Sequence, residues 1–466
     1  MASRRDQLQS YQFQTQRVLS AFVMRETDPA QSPLRRGVGA VFTGLMVAVM
    51  VGAGFGVYGL LTKVGSTTWK TDGAVVVEKE TGASFFYQDG ELHPMLNYTS
   101  ALLATGTSSR QVFQESANAL DGVPRDIMRG IPYAPNSLPD ESHLAGAPWT
   151  VCSTPSTDTR TIKGPVSTLA VGTHPSGGTE LDNRGVLVRD TNSGAIYLVW
   201  HGARYKVTST DVETELFGVA NPVMVATAWI NAMPAGGDIG PINIPSDGNP
   251  SAAVPKYNNG QLLESQVGSG GVQYYLVFDN GIAAITPMQK TIVSNQQGAT
   301  QAIEVKASTV AQYPPSYQVA PDAQVPQPTQ TPSVVATKQT DGFCATFTGP
   351  TGMPTVTWNP TIPAGGAPTP GRTSTGTALA DQIQVPAGHI AVVKVTTPAN
   401  AIAGGYYLVT DLGMRYAVTS KATLQALGYQ DTDAVPMPGD LLQLIPSGPT
   451  LSTSAAMNAA ANAPTN

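Results

Sequence analysis

Charge is scarce in this chain. Asp, Glu, Lys and Arg make up 12% of its 466 residues. No run of like charge and no basic patch stands beyond the first 37 residues, so the electrostatic footprint of a nucleic-acid binder is missing. Cysteine is scarcer, with Cys152 and Cys344 alone; their spacing excludes a C-x-x-C redox or zinc site. No Gly-Lys dipeptide occurs, so a G-x-x-x-x-G-K-[ST] phosphate loop is absent. G-x-S-x-G and H-E-x-x-H are absent as well. The five histidines (His93, His143, His174, His201, His389) are scattered singly. Asp126, Asp140 and Glu141 form no pattern that pairs carboxylates for acid–base work. The expectation is no catalytic, cofactor-binding or metal-binding residue and no nucleic-acid partner.

What is present begins with an apolar run. Val38–Leu61 holds 24 residues without a charged side chain. At about 1.5 Å per residue it reaches about 36 Å, enough to cross a hydrocarbon core of about 30 Å with some tilt. Residues 1–37 carry six arginines against Asp6, Glu26 and Asp28, whereas the whole chain has a net charge of −6. Arg35 and Arg36 stand at the membrane edge. The positive-inside rule then puts the N-terminus in the cytoplasm and the long remainder outside. A cleaved secretory signal is the competing reading; the apolar run and its basic leader are both long for one, and no small-x-small cleavage site follows. Within the span, Ala40, Gly44, Ala48, Gly52 and Gly56 recur every four residues, a stripe where a neighbouring helix can approach closely. A generic Gly/Ala-rich membrane helix gives the same pattern.

Before the span, residues 7–25 read as an amphipathic helix. Leu8, Tyr11, Thr15, Val18, Leu19 and Phe22 fall on one face. That face could dock on a cytoplasmic partner or lie on membrane lipid; Leu8, Tyr11, Val18 and Phe22 are the expected partner-docking residues. After the span, the 47 glycines and 37 prolines point to strands and turns rather than long helices. The two cysteines, placed outside, are most economically one disulfide closing a loop of about 190 residues, for which a chain-entropy argument gives roughly 5 kcal/mol. Two unrelated buried thiols are the alternative.

A unit recurs four times in the external part. Each copy opens with a glycine and a strand, continues through a hairpin and a short helix, and in two copies ends in a further strand. The openings are Gly73-Ala74-Val75, Gly185-Val186-Leu187, Gly260-Gln261-Leu262 and Gly388-His389-Ile390. Copies two to four share Tyr-Leu-Val in the hairpin, at Tyr197, Tyr275 and Tyr407. Copy one lacks it, and Pro287 weakens the expected helix of copy three. Closing strands are expected at Val223–Met233 and Asp440–Ile445. The fold expected is therefore a single transmembrane helix plus a large mixed α+β, mainly β, periplasmic domain, with four strand-hairpin-helix-strand repeats around a disulfide-linked central core. Its parts are a cytoplasmic leader (1–37), the anchor (38–61), repeat 1 (73–106), core half A (107–183), repeat 2 (185–245) and repeat 3 (258–310). A Pro-rich linker (311–333), core half B (334–384), repeat 4 (385–452) and a disordered tail (453–466) complete the chain.

Several stretches together resemble the EccB family of actinobacterial type VII (ESX) secretion systems. They are the leader Gln9-Ser10-Tyr11-Gln12-Phe13 with Arg17 and Ala21-Phe22-Val23, the single anchor, and Gly130-Ile131-Pro132-Tyr133-Ala134-Pro135-Asn136-Ser137-Leu138-Pro139 leading to Trp149-Thr150-Val151-Cys152. Cys344 and the Tyr-Leu-Val repeats match as well. The resemblance implies assembly with EccC, EccD, EccE and a mycosin protease in an inner-membrane machine. It also implies repeats similar to a phage-lysin cell-wall-binding subunit, hence possible peptidoglycan contact, and homo-oligomers formed through the periplasmic domain. Some family members carry an ATPase label, to which these residues lend no support.

Overall fold

A computed structural model describes residues 3–25, 33–61, 67–156, 164–268, 270–319, 325, 328–350, 353–362, 365–396 and 405–460. Helix α1 (Arg4–Met24) begins three residues before the expected start, because the Asp6 carboxylate accepts the Ser3 amide at the N-terminus. Helix α2 (Pro33–Leu61) contains the apolar run, with Arg35 and Arg36 in its first turn. Its segment Gly37–Gly59 is long and apolar enough to cross a membrane, and none of the segment is buried by the rest of the chain.

The part of the chain after α2 is built of four like units around one sheet. Unit one has β1 (Ala74–Glu78), β2 (Ser84–Gln88), β3 (Glu91–Met95), α3 (Tyr98–Ala104) and β4 (Val112–Glu115). Its β2–β3 turn is Asp89-Gly90, both at positive φ. Core strands β5 (Trp149–Thr154), β6 (Val166–Val171) and β7 (Thr179–Glu180) follow. Unit two has β8 (Val186–Asp190), β9 (Ile196–Trp200), β10 (Ala203–Val207), α4 (Thr210–Phe217), β11 (Val223–Val225) and α5 (Thr227–Ala232). Unit three has β12 (Leu262–Val267), β13 (Gly271–Phe278), β14 (Gly281–Ile285), α6 (Pro287–Gln296), β15 (Ile303–Glu304) and α7 (Ala307–Val310). Core strands β16 (Phe343–Phe347), β17 (Thr355–Trp358), β18 (Ala367–Pro368) and β19 (Gln382–Gln384) come next. Unit four has β20 (Ile390–Thr396), β21 (Tyr406–Thr410), β22 (Arg415–Val418), α8 (Lys421–Leu427), β23 (Val435–Pro438) and α9 (Gly439–Gln443), and α10 (Thr453–Ala456) is the last helix described.

All four units have the same topology. The first three strands form an antiparallel meander, and the fourth strand lies parallel to the first on its other edge. The central sheet runs β18-β19-β6-β5-β16-β17-β7. Its middle pair is β5 with β16, antiparallel, and Cys152 stands directly opposite Cys344 and is bonded to it. The halves of the chain interlock there: β7 from the first half pairs with β17 of the second, and β19 from the second pairs with β6 of the first.

Packing explains the Tyr-Leu-Val motif. Successive strand residues face opposite sides. In unit two, Tyr197 and Val199 face the central core, while Leu198 and Trp200 pack in a second cluster beneath the unit's helix. Unit four repeats this with Tyr407 and Val409 on the central core and Tyr406 and Leu408 on the other side. In unit three, Tyr274 and Leu276 serve one cluster and Tyr275 and Val277 another. A strand covered on both faces must be apolar throughout, which removes the simple alternation of a half-exposed strand. Helices α5 and α9 sit where units two and four meet the central sheet, with Trp229, Leu441 and Ile445 joining Trp149 and Phe343 in one core.

The clusters give the spatial order. Unit one shares a core with unit four through α3 and α8 (Leu102, Leu103, Leu424, Leu427). Met288 and Ile292 of unit three enter a core of unit two. Units two and four share the central core. The units therefore follow one another in space as three, two, four, one.

Several expectations are corrected. Residues 440–443 are not strand; they lie in α9, and the closing strand precedes them at Val435–Pro438. Likewise Val223–Met233 is a three-residue strand followed by α5. Units one and three also have closing strands, and β4 places the end of unit one beyond residue 106. The helix of unit three is not weak: Pro287 occupies the first helical position, where no backbone N–H is needed, and Thr286 caps the Gln289 amide. The tail is structured as far as residue 460. There α10 buries Ala456, and the Ala460 amide donates to the Met128 carbonyl. Residues 461–466 lie outside the described residues, as does most of the 320–327 stretch of the linker; Pro315, at the linker's start, bridges to Ile282 of unit three.

Candidate functional surfaces

The first surface is α1. Leu8, Tyr11, Val18 and Phe22 share one face, and all four are exposed, Phe22 by 86%. The opposite face carries Phe13, with the Arg17 guanidinium 5.3 Å from its ring centre. Four large apolar side chains on one helix face thus form an exposed apolar stripe.

The second surface is α2. Along its stripe, a Cβ placed on Gly44, Gly52 or Gly56 would meet nothing within 4 Å. Ala40 and Ala48 are exposed too. Nothing else in the described chain packs against this line.

The third is the repeat domain, where the structure brings together polar groups far apart in sequence. In unit one, Asp126 accepts from Arg129 Nη2 at 2.7 Å and pairs with His93 Nδ1 at 2.9 Å. Chiefly through the Arg129 guanidinium, its carboxyl is held down at about 2. Arg129 also donates to the Met457 carbonyl at 3.0 Å, so this cluster ties the end of the chain to unit one. Asp140 accepts from Ser142 and from His143 Nδ1, which holds it at about 2 as well. His143 and His389, scattered in sequence, meet edge to face with ring centres 5.4 Å apart. In unit four, Asp431 accepts from the Tyr406 hydroxyl and from Lys394 Nζ, and both partners lower its carboxyl. Arg110 of unit one donates to the Ala426 carbonyl at the end of α8 and lies against Gly428, where φ is +101° and a Cβ would come within 2.3 Å of Nη2. Among the described residues no group of three or more His, Cys, Asp or Glu is placed to hold a metal ion.

The predicted cysteines meet at the centre of the core. Among the described residues nothing packs on the stripe, and the four docking residues stand exposed. Arg204 and Arg415, equivalent residues of units two and four, did not stand out in the sequence; their one signal is an Arg-Tyr dipeptide shortly after Tyr-Leu-Val in both copies. Of the tyrosine pairs Tyr274-Tyr275 and Tyr406-Tyr407, Tyr406 is buried in a core and the other three are half-buried against cores.

These features define a class: a membrane protein with one apolar span, a short helical leader before it, and a large domain after it of four repeats locked across a disulfide-stitched sheet. The family described as "Type VII secretion system ESX-1, transport TM domain B" matches residues 1–465, and the chain belongs to this EccB family. Among its relatives is the protein described as "ESX-2 secretion system ATPase EccB2" of Mycobacterium tuberculosis H37Rv. It is 29% identical over 505 residues, covering 99% of this chain and 96% of that protein. Another, "ESX-3 secretion system ATPase EccB3" of the same organism, is 27% identical and covers 97% of this chain and 89% of that protein. The fold matches a chain in the structure of an intact ESX-5 inner membrane complex at TM-score 0.60, 24% identity and coverage of 100% and 97%. It also matches a chain of the periplasmic assembly of that complex at 0.57 and 25%, covering 84% and 95%, and one of an EccB3 dimer from the ESX-3 core complex at 0.59 and 23%, covering 83% and 100%.

Proposed function

We propose that this chain is a structural scaffold subunit of a type VII secretion inner-membrane complex. The observation that carries the reading is the division of labour along the chain: an exposed apolar helix, then an uncovered span, then a rigid repeat domain. In this reading α1 stands in the cytoplasm and docks a partner through Leu8, Tyr11, Val18 and Phe22. Arg35 and Arg36 hold the cytoplasmic edge of the membrane. The Ala40–Gly56 stripe packs on a neighbouring helix, and the repeat domain is periplasmic and pairs with further copies. EccC, EccD, EccE and a mycosin protease are the partners proposed, and export of small helical substrate proteins is what the assembly supports.

Peptidoglycan binding is favoured less, because Tyr274-Tyr275 and Tyr406-Tyr407, the pairs that would suit sugar contact if exposed, turn much of their ring surface into cores. ATP hydrolysis is named for the relatives. In this chain the phosphate loop is missing from the sequence, so the ATP chemistry is assigned to a partner. The test is mild detergent extraction from the native host of the chain carrying Tyr11→Asp with Phe22→Asp, against the unchanged chain. Loss of a co-purifying ATPase and multi-span protein from the variant is expected. Equal co-purification from both would overturn the docking role.

A further inference from the structure

Units two and four place an arginine at the same point of the meander. Arg204 lies 5.9 Å from the Tyr197 ring centre and Arg415 lies 5.9 Å from that of Tyr407. In both, Nε is buried and without a hydrogen-bond partner. Arg204 is fixed in place: its amide donates to the Pro234 carbonyl, its carbonyl accepts from Gly236, and Nη1 donates to Asn231 Oδ1 at 3.2 Å. In front of it is a cavity of about 230 Å³ between units two and four. Asp440 of unit four lines the same cavity, with Asn231, Gln443 and Thr377 supplying amides and a hydroxyl and Leu444 an apolar wall. No ion pair within 4.0 Å joins Arg204 to Asp440. Asp440 is exposed at the rim, yet desolvation by the surrounding protein raises its carboxyl while Arg204 pulls it down, so the two charges act on each other across the space without contact.

The arrangement occurs once. Asp440 is the second residue of α9, and the second residue of α5 in unit two is Ala228, a buried core residue. Arg415 therefore has the same tyrosine and the same orphaned Nε, but an alanine stands at the position corresponding to Asp440.

Opposite charges lining one small cavity, with amides among them, select a ligand that carries both signs. A lone anion would meet Asp440 and a lone cation would meet Arg204. A guanidinium edge suits a carboxylate. The volume lies below the roughly 300–1,000 Å³ of sites for drug-sized ligands, which restricts the occupant to a few heavy atoms. We propose that this cavity binds a small zwitterion of the α-amino-acid class, its carboxylate on Arg204 and its ammonium on Asp440. The site is independent of the scaffold role, and its failure would leave that role untouched.

The test is calorimetric titration of the full-length chain in detergent micelles with glycine, L-alanine and D-alanine, and with acetate and methylamine as single-charge controls. Saturable heat is expected from at least one amino acid and from neither control. Asp440→Asn and Arg204→Met should each weaken binding by about tenfold or more, while Arg415→Met leaves it unchanged. Asp440 is exposed at the cavity rim, so its near-isosteric amide keeps the fold, checked by near-ultraviolet circular dichroism. No heat from any amino acid, acetate binding as tightly as glycine, or binding that survives both substitutions would overturn the proposal.

Discussion

Units one and four meet as units three and two do, helix against the neighbouring unit, yet the two junctions are fastened differently. Between units three and two the contact is mainly apolar, Met288 and Ile292 of α6 in a core with Val212 of α4. To it is added an exchange in which Gln296 both donates to the Ile242 carbonyl and accepts from the Ile242 amide, holding the segment that leads from unit two into the core of unit three. Between units one and four the apolar core is larger, and three further ties cross it. Arg110 holds the end of α8, the Tyr429 hydroxyl donates to the Pro139 carbonyl at 2.6 Å, and the end of the chain returns to unit one through Met457, Asn458 and Ala460. The units farthest apart in sequence have the more heavily fastened junction. Units adjacent in the chain are held near each other by connectivity; units one and four have no such tether and must be joined by contacts.

The largest test of this comparison is a pair of core truncations. Leu424→Ala and Ile292→Ala should each cost about 2–5 kcal/mol. Native-state hydrogen exchange should then show loss of protection confined to units one and four for the first and to units two and three for the second. Protection lost across the whole domain in both would mean that the junctions are one cooperative body. A smaller effect is expected from ending the chain after Ser452. That removes α10 and the bonds to Arg129, Gly130 and Met128, and should weaken protection around residues 125–130 by about 1–3 kcal/mol, with unit three unchanged. The smallest is a pH effect. The Asp126 carboxyl lies at about 2 when folded, below its ordinary value of 3.8. Its contribution is therefore whole above about pH 4 and is lost as pH falls through about 2. Melting of unit one followed from pH 5 to pH 2 should show this acid step, and Asp126→Asn should remove it. The junction of units two and three, held by Gln296 and apolar contact, should show no such step.

Much of this was legible in the chain. The span was read from an uninterrupted apolar run. The meander was read from opening glycines and Tyr-Leu-Val, even though unit one fills the same strand with Phe85-Phe86-Tyr87. The misread pieces share a cause. Asp440-Leu441-Leu442-Gln443 is too short to display a helical period, so its leucines read equally as strand. Ile303–Glu304 and Val112–Glu115 are strands because each pairs in parallel with the first strand of its unit, a partner more than 30 residues away. The end of the chain looked like a small, polar tail, and it is ordered by hydrogen bonds to residues more than 300 positions earlier. Arg204 and Asp440, 236 positions apart, carried no joint signal.

The sequence by itself determined the membrane span, the exposed face of the leader, the recurring unit and the pairing of its only two cysteines. Each of these rests on composition or on periodicity within a few dozen residues. Only the tertiary structure decided that the units stand in the order three, two, four, one, that the two halves exchange strands across Cys152–Cys344, and that a cavity opens between units two and four. A strand apolar on both faces must be covered on both, and many partners could satisfy that demand. Which partner does so is settled by the register of β5 on β16 and by the side chains that meet once those strands are paired.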